Sequence, residues 1–139
     1  MVRTFFELDA WRLCDELRQQ VEAIIATTPA GRDLKFCDQI RGAADSACAN
    51  IAEGFGRFTP AEFRRFLVIA RGSTTEVQSH LAAALSRKYL TREQFDRLIR
   101  LSGRAIGAIT GLQNYLQTQR TVRYSAPYRK PRGSEEREP

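Results

Sequence analysis

Apolar residues recur at every third or fourth position along four segments of this 139-residue chain. The segments run from Trp11 to Ile25, from Phe36 to Ile51, from Pro60 to about Tyr89 and from Phe95 to Leu116. This spacing places the apolar side chains of each segment on one face of a helix, and no segment alternates as a strand would. The chain is therefore predicted to be all-α. The short connections predict an up-down antiparallel four-helix bundle.

Helix boundaries are marked by capping residues. Asp9 is expected to cap the first helix, and Gly54 is expected to end the second helix in the C-terminal position that glycine favours. Thr59-Pro60-Ala61-Glu62 and Thr91-Arg92-Glu93-Gln94 have the pattern of capping boxes, which predicts that the third and fourth helices start there.

The apolar period ends near Thr118, which divides the chain into two regions. Residues 1–119 are predicted to form the bundle, and residues 120–139 are predicted to form a basic, disordered tail. The net charge is +6, and the tail contributes half of it. No apolar run approaches the ~20 residues that span a bilayer, and the N-terminus has no apolar signal segment. We therefore expect a cytoplasmic protein with no membrane partner.

The stretch NIAEGFGRFTPAEF contains two glycines, an arginine and a helix start, so a phosphate-binding loop has to be considered. A dinucleotide loop needs a third glycine and a preceding strand, but Thr59 stands where that glycine belongs and a predicted helix precedes it. The Gly-Lys-Ser/Thr of a P-loop is also missing. We interpret the stretch as the junction between two helices.

Residues suited to metal binding or catalysis are scarce. His80 is the only histidine, so it cannot build the paired Glu-x-x-His motifs of a di-iron bundle or a Ser-His-Asp triad. Cys14, Cys37 and Cys48 lack the close spacing of zinc ligands and are predicted to be buried free thiols. No metal, cofactor or catalytic residue is predicted. A hydrolase or nuclease would have no candidate residues, so we expect a protein that is not an enzyme.

Arginines form ridges along two predicted helices. Such ridges could follow a phosphate backbone. The alternative is a solvated face on which pairs such as Glu93–Arg97 and Asp96–Arg100 neutralise the charge. The candidate nucleic-acid-binding residues are Arg64, Arg71, Arg97, Arg100 and Arg104 in the body and Arg123, Arg129, Lys130 and Arg132 in the tail.

Charged and polar residues also occur beside the apolar stripes of the second and third helices. A buried charge without a partner is costly, so Asn50, Glu53, Arg71 and Glu76 are predicted to form one polar network where these helices cross. Gly72 and Ser73 are expected to allow close approach of the two backbones.

The segment FRRFLVIA carries apolar residues around more than half of the third helix. A bundle helix usually buries a narrower stripe. The long helix could simply be covered by its three partners, but we favour a second surface that contacts another subunit. The candidate intersubunit residues are Phe55, Phe58, Val68 and Ile69.

Three strings, LDAW, QIRGAADSACANIAEGFGR and EFRRFLVIARGSTTE, resemble a family of small bacterial four-helix bundle proteins. The family is also called the 23S rRNA intervening-sequence proteins. The resemblance implies a homopentamer of bundles around a central channel, with no established enzymatic activity. The related accessory proteins of diversity-generating retroelements are basic pentamers that bind a reverse transcriptase and nucleic acid. The residues that match the family motifs are Asn50, Glu53, Gly54, Gly56, Arg57, Arg71, Gly72, Ser73 and Glu76.

Two functions follow as expectations. The first is an oligomeric, non-enzymatic scaffold that binds RNA, DNA or a nucleic-acid enzyme such as a reverse transcriptase through its arginine-rich surfaces. The second is a structural oligomer whose partner is another protein, with no nucleic acid involved. Phosphate binding would weaken steeply with salt, and this response separates the two.

Overall fold

The computed structural model describes residues 2–119, in which four α-helices and two short 3-10 helices form and no strand occurs. Helix α1 spans Asp9–Thr27, α2 spans Leu34–Phe55, α3 spans Pro60–Ser86 and α4 spans Arg92–Thr118. The 3-10 helices, Phe5–Glu7 and Pro29–Arg32, precede α1 and α2. The all-α prediction is confirmed. The prediction of a disordered tail at 120–139 lies outside the described residues.

Contacts between the helices define their order and direction. At the start of α3 the Arg64 guanidinium donates a hydrogen bond to Gln117 at the end of α4, and farther along Gln78 bonds Ser102 at 2.9 Å. The residue nearer the start of α3 contacts the residue nearer the end of α4, so α3 and α4 are antiparallel. Each helix packs on its neighbours in the sequence, and α1 packs on α4, which closes an up-down bundle.

The core is built from the predicted apolar stripes. Phe63, Leu67 and Leu81 of α3 are fully buried, and each such side chain contributes about 1.5–3 kcal/mol on leaving water. Helix α2 contributes mainly small buried residues to its contact with α3, which is the most extensive in the bundle. Small side chains at the contact let two helix axes approach closely.

Gly54 lies inside α2 and does not end it. The helix continues to Phe55, and Gly56 follows as the C-cap with an ordinary right-handed φ of −78°. A Cβ atom at Gly54 would lie 2.8 Å from both Phe63 Cδ1 and Phe66 Cβ. The prediction that Gly54 stops the helix is wrong, because its role is to leave room for α3 at the closest approach of the two helices.

Two other predicted boundaries are wrong. Leu8 is the N-cap residue of α1 and its side chain makes no capping bond, while Asp9 forms an ion pair with Arg12. Helix α3 ends at Ser86, short of Tyr89, and the chain turns through Lys88 in a left-handed conformation with φ of 63°.

The predicted helix starts at Thr59 and Thr91 are confirmed. Thr59 Oγ1 accepts a hydrogen bond from the Glu62 amide at 3.2 Å. At Thr91 the box is complete, since Thr91 Oγ1 accepts from the Gln94 amide at 3.1 Å and Gln94 Oε1 accepts from the Thr91 amide at 2.9 Å. Each bond satisfies an amide that the first helical turn leaves unpaired.

All three cysteines are buried free thiols, as predicted. Burial raises the pKa of Cys14 to about 11, against a smaller opposing effect of its contact with Thr74. Burial likewise raises the pKa of Cys48 to about 12. Thiolates are the reactive form, so these two side chains act as core residues.

The close approach at Gly54 generates a stability prediction. Gly54→Ala should lower the free energy of unfolding by about 1–3 kcal/mol, because the methyl group overpacks the contact with Phe63 and Phe66. Gly42→Ala in the same helix is the matched control, since nothing lies within 4 Å of an added Cβ there. The control should raise stability by up to about 1 kcal/mol through helix propensity. Urea denaturation at one fixed protein concentration measures both, and equal effects of the two substitutions would contradict the steric role of Gly54.

Candidate nucleic-acid interface

Three arginines lie along the outer face of α4. Arg97, Arg100 and Arg104 are all exposed and are separated by three and four residues, so they project from neighbouring positions on successive turns. The rise from the first to the third is about 10 Å. We call Arg97, Arg100 and Arg104 the α4 arginine ridge.

The charges of this ridge are not neutralised within the described residues. The pairs of Glu93 with Arg97 and of Asp96 with Arg100, which were the alternative to a nucleic-acid surface, do not form within the described residues. Asp96 instead accepts a hydrogen bond from Arg92 Nε at 3.1 Å. No carboxylate between residues 2 and 119 lies within 4.0 Å of a ridge guanidinium group. The ridge is therefore available to an external anion without breaking an ion pair.

Three exposed glycines lie beside the ridge, at Gly103, Gly107 and Gly111. An added Cβ at any of the three would meet nothing within 4 Å. Glycine inside a helix costs about 1 kcal/mol relative to alanine. The bundle itself does not require glycine here, and the bare backbone allows another molecule to approach α4 closely.

The acidic side chains are concentrated on the other half of the bundle. Helices α1 and α2 together carry seven acidic and four basic residues, whereas α3 and α4 carry four acidic and seven basic residues. A shallow groove between α1 and α4 lies where the halves meet, and it is lined by Asp9, Arg12, Leu13, Glu16, Arg104 and Ala108. An approaching polyanion is therefore favoured on the α3–α4 side.

Arg64 and Arg71, the other candidate arginines of the body, do not join the ridge. Arg64 is half-buried and bonds Gln117, which lies about 20 Å along α4 from Arg104. Arg71 is exposed on α3 and has no ion pair within the described residues. The tail candidates Arg123, Arg129, Lys130 and Arg132 lie outside the described residues.

An exposed apolar patch occupies the first half of α3 and the turn before it. Phe58, Val68 and Ile69 are 45%, 62% and 49% exposed. Phe55 does not belong to this patch, because it is buried and packs edge-on against Phe63 with ring centroids 6.2 Å apart. The structure therefore leaves three of the four candidate intersubunit residues on the surface, and the selection of Phe55 is wrong.

Arg57 organises the surface beside this patch. Its guanidinium lies 4.7 Å from the centre of the Phe66 ring and donates a hydrogen bond to Glu53 Oε1 at 2.9 Å. A shallow pocket here is lined by Arg57, Glu62, Arg65, Phe66 and Ile69. The Arg57 guanidinium is already held by a carboxylate of α2 and an aromatic ring of α3, so it links the end of α2 to the start of α3.

The predicted polar network of Asn50, Glu53, Arg71 and Glu76 does not form in the described chain. Glu53 is exposed and pairs with Arg57, while Glu76 approaches His80 Nε2 at 3.9 Å. Arg71 is exposed, so no buried charge requires a partner at this crossing. The network is wrong because the charged groups lie on outer faces of α2 and α3, where water solvates them.

A smaller, neutral network joins α2 to α3 instead. Ser46 Oγ and Ser73 Oγ lie 2.9 Å apart, and Asn50 Nδ2 donates to the carbonyl and hydroxyl oxygens of Ser46 at 2.8 and 3.0 Å. Ser73 thus lies at the crossing as predicted, whereas Gly72 faces open space. The apolar periodicity does not single out Ser46, although its i,i+4 spacing to Asn50 is a usable signal.

The described residues form neither a metal site nor a membrane-spanning helix. Within residues 2–119, no cluster of three or more His, Cys, Asp or Glu side chains could hold a metal ion. His80 packs edge-on near Phe36, with ring centroids 6.4 Å apart. None of the helices in the described part of the chain has the length and apolar character needed to cross a bilayer.

The hydrogen bonds at the α2–α3 crossing make a prediction about coupling. Ser46→Ala and Ser73→Ala should be non-additive in stability, with a coupling of about 0.5–1.5 kcal/mol, because each removes the same bond. Glu53→Ala and Arg71→Ala should be additive within about 0.5 kcal/mol, since Glu53 pairs with Arg57 and makes no contact with Arg71. Chemical denaturation of the two double-mutant cycles measures both values. Strong coupling between Glu53 and Arg71 would show that these two residues do interact, as the predicted charged network requires.

Comparison with known proteins agrees with the fold. Residues 6–111 match the model of the family described as 23S rRNA-intervening sequence protein. No curated protein matches the chain significantly. The matched region extends from the start of the bundle through most of α4 and includes the Gly54 contact, Arg57 and the α4 arginine ridge. The chain belongs to the 23S rRNA-intervening sequence protein family.

Proposed function

We propose that this protein is a non-enzymatic scaffold that binds nucleic acid along α4 and assembles as a ring-like homo-oligomer, a pentamer. The observation that carries nucleic-acid binding is the α4 arginine ridge, whose three exposed guanidinium groups have no carboxylate partner within residues 2–119. The family resemblance supports two further parts of the proposal. These are the pentameric state and a partner that is a nucleic-acid enzyme, such as a reverse transcriptase. In this proposal the scaffold holds a strand for that enzyme.

Electrostatics support the choice of this face. Neutralising a phosphate with an arginine releases a condensed counterion, and this release is favourable when the arginine has no internal partner to lose. Three phosphate contacts give a log–log salt slope of about −2 to −3. In an oligomer the ridge is repeated in every subunit, so modest affinity per subunit becomes strong overall binding.

Replacing the ridge tests this proposal. The triple variant Arg97→Gln, Arg100→Gln and Arg104→Gln should weaken binding to labelled RNA and DNA and reduce the salt slope by about 2–3, because three phosphate contacts are lost. The matched control replaces Arg12, Arg18 and Arg41 by Gln, three arginines of α1 and α2 that are paired with acids on α1. The control should leave the slope nearly unchanged. Fluorescence anisotropy at several salt concentrations measures both.

The same titrations separate the body from the tail. A chain without residues 120–139 should retain the contribution of the ridge and lose any contribution of Arg123, Arg129, Lys130 and Arg132. If the ridge and control triple variants changed the affinity and the salt slope equally, the nucleic acid would bind elsewhere on the protein. Absence of binding by the full chain even at low salt would contradict the nucleic-acid function and favour the second candidate.

The second candidate is a structural oligomer whose partners are proteins only. Its specific support is the exposed apolar patch of Phe58, Val68 and Ile69. Val68 and Ile69 flank the bare backbone of Gly72 on the outer face of α3, so a neighbouring helix could pack there closely. Self-association at this patch is common to both candidates, and only nucleic-acid binding separates them.

The patch makes a prediction about assembly. Val68→Asp combined with Ile69→Asp should dissociate the oligomer, because two charges would be buried without partners at the contact. Thr75→Asp with Ser79→Asp is the control, since both positions are exposed on the same helix and lie outside the patch. Native mass spectrometry reports the subunit number, and circular dichroism checks that both variants stay helical. A monomer for the unmodified chain at micromolar concentration would refute the intersubunit role of α3.

A further inference from the structure

The outer face of α4 continues past the arginine ridge to an exposed aromatic side chain. Tyr115 is 38% exposed and lies eighteen residues after Arg97, which is five turns of an α-helix. The two side chains therefore project on the same line, about 27 Å apart. Gly107 and Gly111 lie between Arg104 and Tyr115 on this face.

We propose that this face of α4 binds single-stranded nucleic acid, with phosphates on Arg97, Arg100 and Arg104 and a base stacked on Tyr115. This inference rests on the proposed function and narrows it to one class of ligand. A positive track combined with an aromatic platform is the arrangement that binds single strands without sequence preference.

The exposed part of the Tyr115 ring is open to stacking. Its backbone carbonyl accepts a hydrogen bond from Thr118, but within residues 2–119 the side chain has no ring contact and no hydrogen-bond partner. Among the helices of the described chain, α4 is the one that carries both exposed arginines without an ion pair and an exposed aromatic ring without a partner. Stacking needs an unpaired base, which a single strand presents and an intact duplex does not.

The two glycines explain how a strand could connect the arginines to the tyrosine. Gly107 and Gly111 have no side chain, and an added Cβ at either would meet nothing within 4 Å. A sugar-phosphate chain can therefore lie against the helix backbone between the two ends of the track. The length of about 27 Å accommodates several nucleotides and agrees with the site sizes of about 4–16 nucleotides known for single-strand-binding folds.

The acidic side chains that face this track are few. Glu16 and Asp9 line the groove on the α1 side, and Asp9 is paired with Arg12. On α4 itself Asp96 is held by Arg92, and Glu93 is an exposed carboxylate one turn before Arg97 on the same face. A strand on this face therefore lies on the arginines between Glu93 at one end of the track and Glu16 at its α1 edge.

Anisotropy titrations of the full chain with a labelled 20-nucleotide oligo-dT or oligo-U strand and with a 20-base-pair duplex, at equal salt, test the proposal. The single strand should bind at least about tenfold more tightly than the duplex. Tyr115→Leu should weaken single-strand binding by about 5- to 150-fold, the range that corresponds to loss of one stacked base, with little change in salt slope. Tyr115→Phe should restore binding, because the ring is kept. Phe6→Leu, an exposed aromatic position outside α4, should have no effect.

The outcomes separate this inference from the function on which it rests. Equal binding of strand and duplex, or unchanged binding by Tyr115→Leu, overturns the single-strand proposal while nucleic-acid binding stands. Absence of binding to either probe at low salt overturns both. If Tyr115→Leu alters the native mass without nucleic acid present, Tyr115 belongs to a contact with a second copy of the chain, and the single-strand proposal is wrong.

Discussion

The contact between α2 and α3 at Gly54 is the constraint on which the rest of this bundle depends. The absence of a side chain at Gly54 lets Phe63 and Phe66 approach the α2 backbone, and the small residues Ala43 and Ala47 continue the contact along the helix. Because α3 is held this closely, its rotation about its own axis is set. That rotation buries Leu67 and Ala70 and leaves the neighbouring apolar positions facing outward.

The outward faces then separate into surfaces of different character. The arginines of α1 and α2 pair with acids on their own or the adjacent helix, such as Arg41 with Glu22 at 2.9 Å. The ridge arginines of α4 have no such partners in the described chain, and three bare glycines lie beside them. A folded monomer gains nothing from either feature. We propose that both serve an anionic ligand that lies along α4, and that the apolar patch of α3 serves self-association.

Periodicity predicted the elements of this structure well and their side-chain partners poorly. The four apolar stripes, the capping box at Thr91 and the alignment of Arg97 with Arg104 depend on spacing along one helix, so they can be read from the sequence. The burial of Phe55, the steric role of Gly54 and the Ser46–Ser73 bond depend on how two helices face each other. Their relative rotation is decided by packing across the interface, on which a local pattern carries no information. Asp96 shows the same limit, since i,i+4 spacing allows it two arginines and geometry selects Arg92.

Arginine footprinting tests the central claim most directly, because it reports on the α4 face of the whole chain in the state that it adopts in solution. The chain is treated with phenylglyoxal with and without a single-stranded oligonucleotide, and mass spectrometry gives the modification of each arginine. The account predicts that Arg97, Arg100 and Arg104 are reactive in the protein alone and become protected when the strand is added, while Arg12 and Arg41 do not change. Protection of the ridge before any nucleic acid is added would show that α4 is covered by another subunit, and unchanged reactivity after addition would show that the strand binds elsewhere.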